Sequence, residues 1–225
     1  MRSRAFLTNG KRERRAVVCL RVIRVFRIPL STNVERVALA LAYKGVEVEW
    51  VDVDPDDRTP VVELSGQALV PVLEADGEVV ADSTRILEWL ERRFPEPALY
   101  PRNAARRAEV EIFVDWFNRV WKRTPNELVD LIERGAWDPT RVEELGREIT
   151  ASLEVFEALL DGRGYLMGEF GVADCAAFPF LRFARYLEED DPYFFHQVLA
   201  ERLALRSDHP RTAAWLERME ARPRG

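Results

Sequence analysis

The change of hydrophobic periodicity along the first half of the chain is the feature that most limits its fold. Residues 22–28 are β-branched and partly alternating, a pattern typical of a strand. Apolar residues then recur at the spacing of an amphipathic helix over residues 34–41, with Gly45 as its expected C-cap, and residues 46–53 alternate again. Because a helix-length connection joins two strands, this order predicts a parallel βαβ unit with a right-handed crossover.

A hairpin and a further helix complete the same module. Residues 70–74 and 78–81 have strand patterns on either side of Asp76-Gly77, a dipeptide that favours tight turns. A helical stripe follows and stops before Pro95, and the turn-rich stretch ahead of the hairpin holds at most a short helix. The order β-α-β and then β-β-α predicts an α/β domain over residues 21–94.

Three prolines within residues 95–101 predict a stiff linker after this domain. Beyond it, residues 102–225 contain only helical stripes, the longest of them between residues 142 and 160. A helix that begins near Val172 contains Pro179, where we expect a bend because proline removes an intrahelical hydrogen bond. The second domain is therefore predicted to be all-helical.

Composition narrows the classes of function. Of the 225 residues, 47% are hydrophobic and 32% charged, as in ordinary globular proteins, and no apolar run approaches a membrane span. The two cysteines are too few for a disulfide framework. The only two histidines, His196 and His209, are too few for a His-rich metal site and make a Ser-His-Asp triad a poor candidate. We expect no metal and a cytoplasmic location. The net charge of −6 argues against nucleic acid as a partner.

The N-terminal segment has the opposite charge. Residues 1–24 contain eight Arg or Lys and one acid. An organelle address or an over-long start would have this composition. We predict that residues 1–20 are a poorly ordered basic extension ahead of the fold.

Ser31 stands between the first strand and the first helix. Thr32 and Glu35 have the spacing of a capping box, so we expect Thr32 to be the N-cap and the Ser31 hydroxyl to stay free. Backbone N–H groups at a helix N-terminus bind anions, and together with a hydroxyl donor they would lower the pKa of a thiol. The alternative is that Ser31 belongs to an ordinary helix start.

Two dipeptides add polar groups for a ligand. Val70-Pro71 is either an ordinary strand start or a cis bond that exposes the Val70 backbone to an extended peptide. Asp82-Ser83 is either an ordinary helix cap or a site for the charged end of an amino acid. A peptide backbone and an amino-acid end together describe a small peptide such as glutathione.

These motifs resemble those of the soluble glutathione S-transferases over roughly residues 22–221. The first segment is similar to the family's Ser- or Cys-initiated stretch ending in Arg, and the second to its cis-proline motif. The third is similar to its acid-Ser motif, and the fourth to the motif that opens its buried helix. In chain order the segments are residues 31–37, 69–73, 81–83 and 168–174.

The resemblance implies a thioredoxin-like α/β N-terminal domain followed by an all-α helical-bundle C-terminal domain. It implies that Ser31 stabilises the glutathione thiolate. It implies glutathione contacts at Val70, Pro71, Asp82 and Ser83, to which we add Gln67 because Leu69 stands where many members have a polar contact. Since a serine cannot form a mixed disulfide, conjugation or isomerisation is favoured over thiol–disulfide exchange.

The resemblance also implies a second-substrate pocket between the domains and a homodimer. Candidate pocket residues are Asn33, Phe113 and Trp116, although aromatic residues at helical spacing are more often core. The implied function is a glutathione transferase that conjugates, isomerises or dehalogenates a small apolar electrophile. The alternative is a non-catalytic binding or regulatory protein that has kept the fold.

Two segments depart from simple expectations. Gly171 stands where the family has a Ser or Thr that caps the buried helix together with Asp174, so we expect a loss of about 0.5–2 kcal/mol or less at that cap. The acidic run Glu188–Asp191 is expected to be a solvated loop.

Overall fold

Four short strands form the sheet of the first domain in a computed structural model that describes residues 22–135 and 138–225. The strands are β1 Arg24–Arg27, β2 Glu49–Asp52, β3 Val72–Ala75 and β4 Glu78–Ala81. Their order is β2-β1-β3-β4, with β1 and β2 parallel and the other pairs antiparallel. The predicted βαβ unit and hairpin are confirmed. The basic extension predicted over residues 1–20 lies outside the described residues.

Three helices cover this sheet: α1 Thr32–Lys44, α2 Thr59–Ser65 and α3 Ser83–Arg93. Successive strand residues point to opposite faces. Val25 and Leu73 therefore join the core formed with α1 and α3, whereas Phe26 and Val72 join a smaller cluster with Val61 of α2. The α1 helix ends as predicted at Gly45, which has a φ of 63°.

The second domain is helical throughout its described part. Its helices are α4 Ala104–Trp116, α5 Arg123–Glu133, α6 Pro139–Ala151, α7 Leu153–Leu159, α8 Val172–Leu181, α9 Phe194–Arg202 and α10 Pro210–Glu220. A π-helical turn, Phe117–Trp121, joins α4 to α5. The predicted α/β and all-α architecture is confirmed. No described helix is long and apolar enough to cross a membrane.

Two details differ from the helical pattern of the sequence. The stripe between residues 142 and 160 is divided into α6 and α7 at Ser152, whose hydroxyl accepts a hydrogen bond from the Trp121 indole at 2.8 Å. Pro179 lies inside α8, and the helix ends two residues later at Leu181.

The linker of residues 95–101 is fixed to the first domain by a buried ammonium group. The Lys44 ammonium, whose side chain is 0% exposed, lies 2.8 Å from Glu91 Oε2. It also donates to the carbonyl oxygens of Phe94, at 2.6 Å, and Pro97, at 2.9 Å. All three N–H groups of the ammonium thus have acceptors, and the Glu91 carboxylate also accepts from the backbone N–H of Leu99 at 2.9 Å.

The same linker meets the start of α8. The Leu99 carbonyl accepts from the Val172 N–H at 3.0 Å, and Asp174 reaches back to the Gly171 N–H at 3.1 Å. A Cβ on Gly171 would lie 2.7 Å from the Leu99 oxygen. A Ser or Thr at this position would therefore press against the linker backbone, whose carbonyl bonds one of the first-turn N–H groups of α8. The loss of stability that we expected at this cap stays a prediction, and this contact opposes it.

Asp174 is the buried polar anchor of α8. Its carboxylate accepts from the Leu166 N–H at 3.0 Å and from the Trp215 indole at 2.9 Å, besides Gly171. Burial raises the pKa of Asp174 to about 6, although the three N–H donors favour its ionised form.

Candidate active site

A cavity of about 670 Å³ lies between the two domains at the start of α1. We call it the main cavity. It is lined by the residues that the sequence singled out in the first domain, namely Ser31, Asn33, Gln67, Val70, Pro71, Asp82 and Ser83. The helical domain contributes Lys122, Tyr193, Phe195 and His196. The structure thus brings these seven residues of the first domain together around one space.

Ser31 occupies the N-cap position itself, and α1 begins at Thr32. The expectation that Thr32 would be the N-cap is wrong by one residue. Glu35 does not reach back to complete a capping box, because its carboxylate accepts instead from the Arg224 guanidinium at 3.2 Å. The Ser31 hydroxyl makes no capping hydrogen bond. It therefore remains free for a ligand, as expected, but for a different reason.

The Val70-Pro71 peptide bond is cis, as the sequence interpretation proposed. The pairing of β1 with β3 ends at Phe26 and Val72. Val70 therefore lies outside the ladder, at the edge of the main cavity, where its backbone can meet an extended peptide.

Gln67 lines the main cavity, but its amide is engaged within its own loop. The side-chain oxygen accepts from the Leu69 N–H at 2.7 Å, and the side-chain nitrogen donates to the Leu69 carbonyl at 2.7 Å. The residue thus shapes the turn ahead of Pro71. A contact between Gln67 and glutathione stays a prediction.

Asp82 caps helix α3, and a contact of Asp82 or Ser83 with a ligand stays a prediction. Asp82 Oδ1 accepts from the N–H groups of Thr84 at 2.9 Å and Arg85 at 3.2 Å, so it caps α3. The second carboxylate oxygen makes no hydrogen bond with the described residues. Ser83 is buried beside it, with its hydroxyl 3.5 Å from a nitrogen of the Arg36 guanidinium.

Arg36 is a buried cation behind the site. Its side chain is nearly inaccessible, and its guanidinium lies over the rings of Phe117, at 5.5 Å, and Phe180, at 4.8 Å. One nitrogen donates to Asn118 Oδ1 at 2.8 Å. Burial lowers the pKa of Arg36 to about 9, with the Asp82 charge opposing the fall.

Lys122 brings a second cation into the wall of the main cavity. Its ammonium donates to Asn33 Oδ1 at 3.1 Å and lies 4.8 Å from the centre of the Phe180 ring. Burial lowers the pKa of Lys122 to about 7; repulsion from Arg36 adds to the fall and Asp82 opposes it. Sequence reasoning missed Lys122, which directly follows the π-helical turn Phe117–Trp121.

Phe113 and Trp116 do not line the main cavity. Both pack among aromatic rings of the helical domain, Phe113 at 6.2 Å from Phe117 and Trp116 at 6.1 Å from Phe156. The apolar stripe of α4 faces the core of the domain, where Phe113 is buried and Trp116 is partly buried. Of the three candidates for the second-substrate pocket, only Asn33 lies at the cavity.

The segment around α9 lines the main cavity, which Phe113 and Trp116 do not. Of the acidic run, Glu188, Glu189 and Asp190 are exposed as expected, but Asp191 is buried and accepts from the Tyr193 N–H at 2.9 Å. Its carboxylate also lies 2.8 Å from Nδ1 of His196. The sequence held one signal for this pair, an acid five residues before one of only two histidines.

Comparisons with known proteins agree with a thioredoxin-like domain followed by a helical domain. The model described as glutathione S-transferase, N-terminal domain, matches residues 25–98, and that described as glutathione S-transferase, C-terminal domain, matches residues 139–218. The chain belongs to the glutathione S-transferase superfamily.

Individual relatives are moderately similar. A maleylacetoacetate isomerase from Pseudomonas aeruginosa is 30% identical over 159 residues, covering 66% of this chain and 75% of the relative. A probable glutathione S-transferase from Nicotiana tabacum is 28% identical over 151 residues, covering 65% of this chain and 64% of its own. The chain thus spans less than two thirds of the tobacco protein. The crystal structure of a glutathione S-transferase from Rhodospirillum rubrum superimposes with a TM-score of 0.68 at 29% identity, covering 90% of this chain and 89% of that one.

Proposed function

We propose that this protein binds glutathione in the main cavity and stabilises its thiolate for reaction with a small electrophile. The observation that carries the proposal is the Ser31 hydroxyl, which has no capping bond and lies at the start of α1 in a cavity that also holds a cis-proline edge. An unpaired hydroxyl donor beside helix N–H groups is suited to a sulfur anion.

The cysteinyl and γ-glutamyl parts of glutathione each have partners in this proposal. The cysteinyl backbone pairs with the backbone of Val70, outside the β1–β3 ladder. The γ-glutamyl ammonium meets the second carboxylate oxygen of Asp82, and the γ-glutamyl carboxylate meets Ser83 at the start of α3.

The chemical contribution of Ser31 is a shift in the pKa of a bound thiol. A free thiol titrates near ~8.5, so only a few per cent is thiolate at neutral pH. Each unit by which the pKa falls corresponds to about 1.4 kcal/mol of preferential binding of the anion. Since serine has no thiol of its own, the glutathione sulfur is the nucleophile.

The electrophile occupies the rest of the main cavity, against Tyr193, Phe195 and Lys122. Transfer, isomerisation and dehalogenation all begin with attack of the thiolate on such a substrate. The Pseudomonas relative is named as an isomerase and the tobacco relative as a transferase, so both reactions fit proteins with this similarity.

The test compares Ser31→Ala with Ser31→Thr, which keeps the hydroxyl. Ultraviolet absorbance of bound glutathione, titrated against pH, reports its thiolate, and retention on immobilised glutathione reports binding. We expect Ser31→Ala to raise the pKa of the bound thiol and to lower turnover far more than affinity, and Ser31→Thr to restore part of both.

Two results would count against the proposal. If bound glutathione ionises at the pH of free glutathione in the wild-type protein, the chain is a binding protein without thiolate activation. If the chain does not bind glutathione, both glutathione-dependent functions fail.

A further inference from the structure

A second cavity, of about 300 Å³, lies beside the main cavity at the start of α1. Leu30, Ser31 and His196 line both spaces. Ser31 and His196 therefore form part of the wall that the two cavities share. The histidine comes from α9 of the helical domain, so the site combines groups from both domains at this point.

The geometry of His196 is that of a histidine held by a carboxylate. Its Nδ1 lies 2.8 Å and 3.0 Å from the two oxygens of Asp191, and both side chains are buried. In the neutral ring the N–H is then on Nδ1, and Nε2 is a hydrogen-bond acceptor. Nε2 has no hydrogen bond with the described residues.

The ring is also fixed in place by its neighbours. It stacks on Phe183 with centroids 4.2 Å apart and an interplanar angle of 18°. The Tyr193 hydroxyl lies 3.5 Å from the Pro29 carbonyl oxygen, which joins the start of α9 to the loop that leads into Ser31. The position of His196 relative to that loop is thus set by contacts on both sides.

The charges around His196 favour its neutral form. Burial lowers the pKa of His196, with Arg182 adding to the fall and Asp191 opposing it. The other charged residues that line the cavities are Arg58, Asp82, Arg85 and Lys122 in the main cavity, and Arg27, Glu35, Glu188 and Arg224 in the second, where Glu35 and Arg224 pair at 3.2 Å. A histidine that is neutral near neutral pH can accept a proton.

We propose that His196, oriented by Asp191, is the base that accepts the proton of the glutathione thiol. The S–H bond breaks, its electron pair stays on sulfur as the thiolate held by Ser31, and the proton forms an N–H bond on Nε2 of His196. Asp191 stabilises the resulting imidazolium. The proton leaves later, to the product or to water. This inference rests on the proposed function, which supplies the thiol.

The experiment measures how many protons are released to the buffer for each glutathione thiolate that forms. Glutathione is titrated into the full-length protein by calorimetry in buffers of different ionisation enthalpy, at a pH of about 7.5, between the ordinary pKa values of His and a thiol. Thiolate is measured in the same samples by ultraviolet absorbance. In the wild type we expect well under one proton released to buffer per thiolate formed, because the thiolate charge beside His196 raises the pKa of its imidazolium in the complex and the proton stays on Nε2. In His196→Gln the ratio rises to about one, and kcat/KM falls about 10²-fold.

Controls separate a base from a structural residue. S-methylglutathione has no thiol proton, so its affinity should be equal for the wild type and His196→Gln. His209→Gln changes the other described histidine, which lies outside both cavities, and should leave the proton ratio as in the wild type. Lys122→Met tests a second titratable group, which lines the main cavity only, and should also leave the ratio below one.

Three outcomes would overturn the inference while the proposed function stands. The first is a ratio of about one in the wild type with thiolate formed. The second is a low ratio that Lys122→Met, and not His196→Gln, abolishes. The third is an equal loss of affinity for glutathione and S-methylglutathione in His196→Gln, which would make the residue a contact. A protein that binds no glutathione would instead refute the proposed function.

Discussion

At the scale of single residues, a substitution at Gly171 compares the stability gained from a helix cap with the stability lost by overpacking. A serine there would resemble the usual cap, which is worth about 1 kcal/mol. Its Cβ, however, would lie 2.7 Å from the Leu99 carbonyl oxygen, which is backbone and already bonded to Val172. Overpacking of this kind costs about 1–3 kcal/mol. We therefore expect Gly171→Ser to lower the free energy of unfolding, measured by urea denaturation.

Gly164→Ser is the matched control, because a Cβ at Gly164 meets no atom within 4 Å. Its effect should stay within about 0.5 kcal/mol. A Gly171→Ser variant more stable than the wild type would show that the Leu99 carbonyl can move aside and that the cap dominates.

The site residues that could be predicted from the sequence are those with a local signal. Ser31, Pro71 and Asp82 each stand at the start of a strand or helix, where the neighbouring residues define the geometry. Lys122 and His196 come from the other domain, and only tertiary packing brings them to α1. Hydrophobic periodicity carries no information about contacts between residues of different domains.

At the scale of elements, the caps of α3 and α6 allow the charge of Asp82 to be tested apart from its capping role. Asp138 caps α6 through the N–H groups of Thr140 and Arg141, as Asp82 caps α3. Asparagine is as good an N-cap as aspartate, so Asp82→Asn and Asp138→Asn should both keep near-wild-type stability. Only Asp82→Asn should weaken glutathione binding, by about 10-fold or more, because a charge-assisted bond worth about 1.5–3 kcal/mol is lost.

Affinity is measured by calorimetry for glutathione and for cysteinylglycine, which lacks the γ-glutamyl group. Asp82→Asn should leave the binding of cysteinylglycine unchanged. Equal weakening for both ligands, or equal effects of Asp82→Asn and Asp138→Asn, would remove Asp82 from the γ-glutamyl site.

Elements with a strong period were predicted well and the others were not. The α1 stripe and its Gly45 terminus are where the sequence placed them, because the spacing and the cap agree. The division between α6 and α7 at Ser152 depends on a tertiary hydrogen bond from Trp121. Helices α5 and α9 were not predicted, and α9 has apolar residues on no single face.

At the scale of the whole molecule, the two domains share one core. Buried residues of α1, including Val37 and Leu41, and of α8, including Phe178 and Leu181, belong to one continuous hydrophobic cluster. A shared core couples the stabilities of the parts that build it. We therefore expect the described domains to unfold together in a single cooperative transition.

Lys44→Met tests this coupling at the linker. The substitution keeps most of the side-chain volume but leaves the Glu91 carboxylate without its 2.8 Å partner and the carbonyl oxygens of Phe94 and Pro97 without their donor. Removing one member of a buried ion pair costs about 3–5 kcal/mol. Hydrogen exchange, followed separately in β3 and α8, should show equal losses of protection in both domains.

Arg119→Met, which breaks an exposed pair with Asp115, should cost at most about 1 kcal/mol. Loss of protection in β3 alone would mean that the linker contact stabilises the first domain independently, and that the shared core does not make the two domains one folding unit.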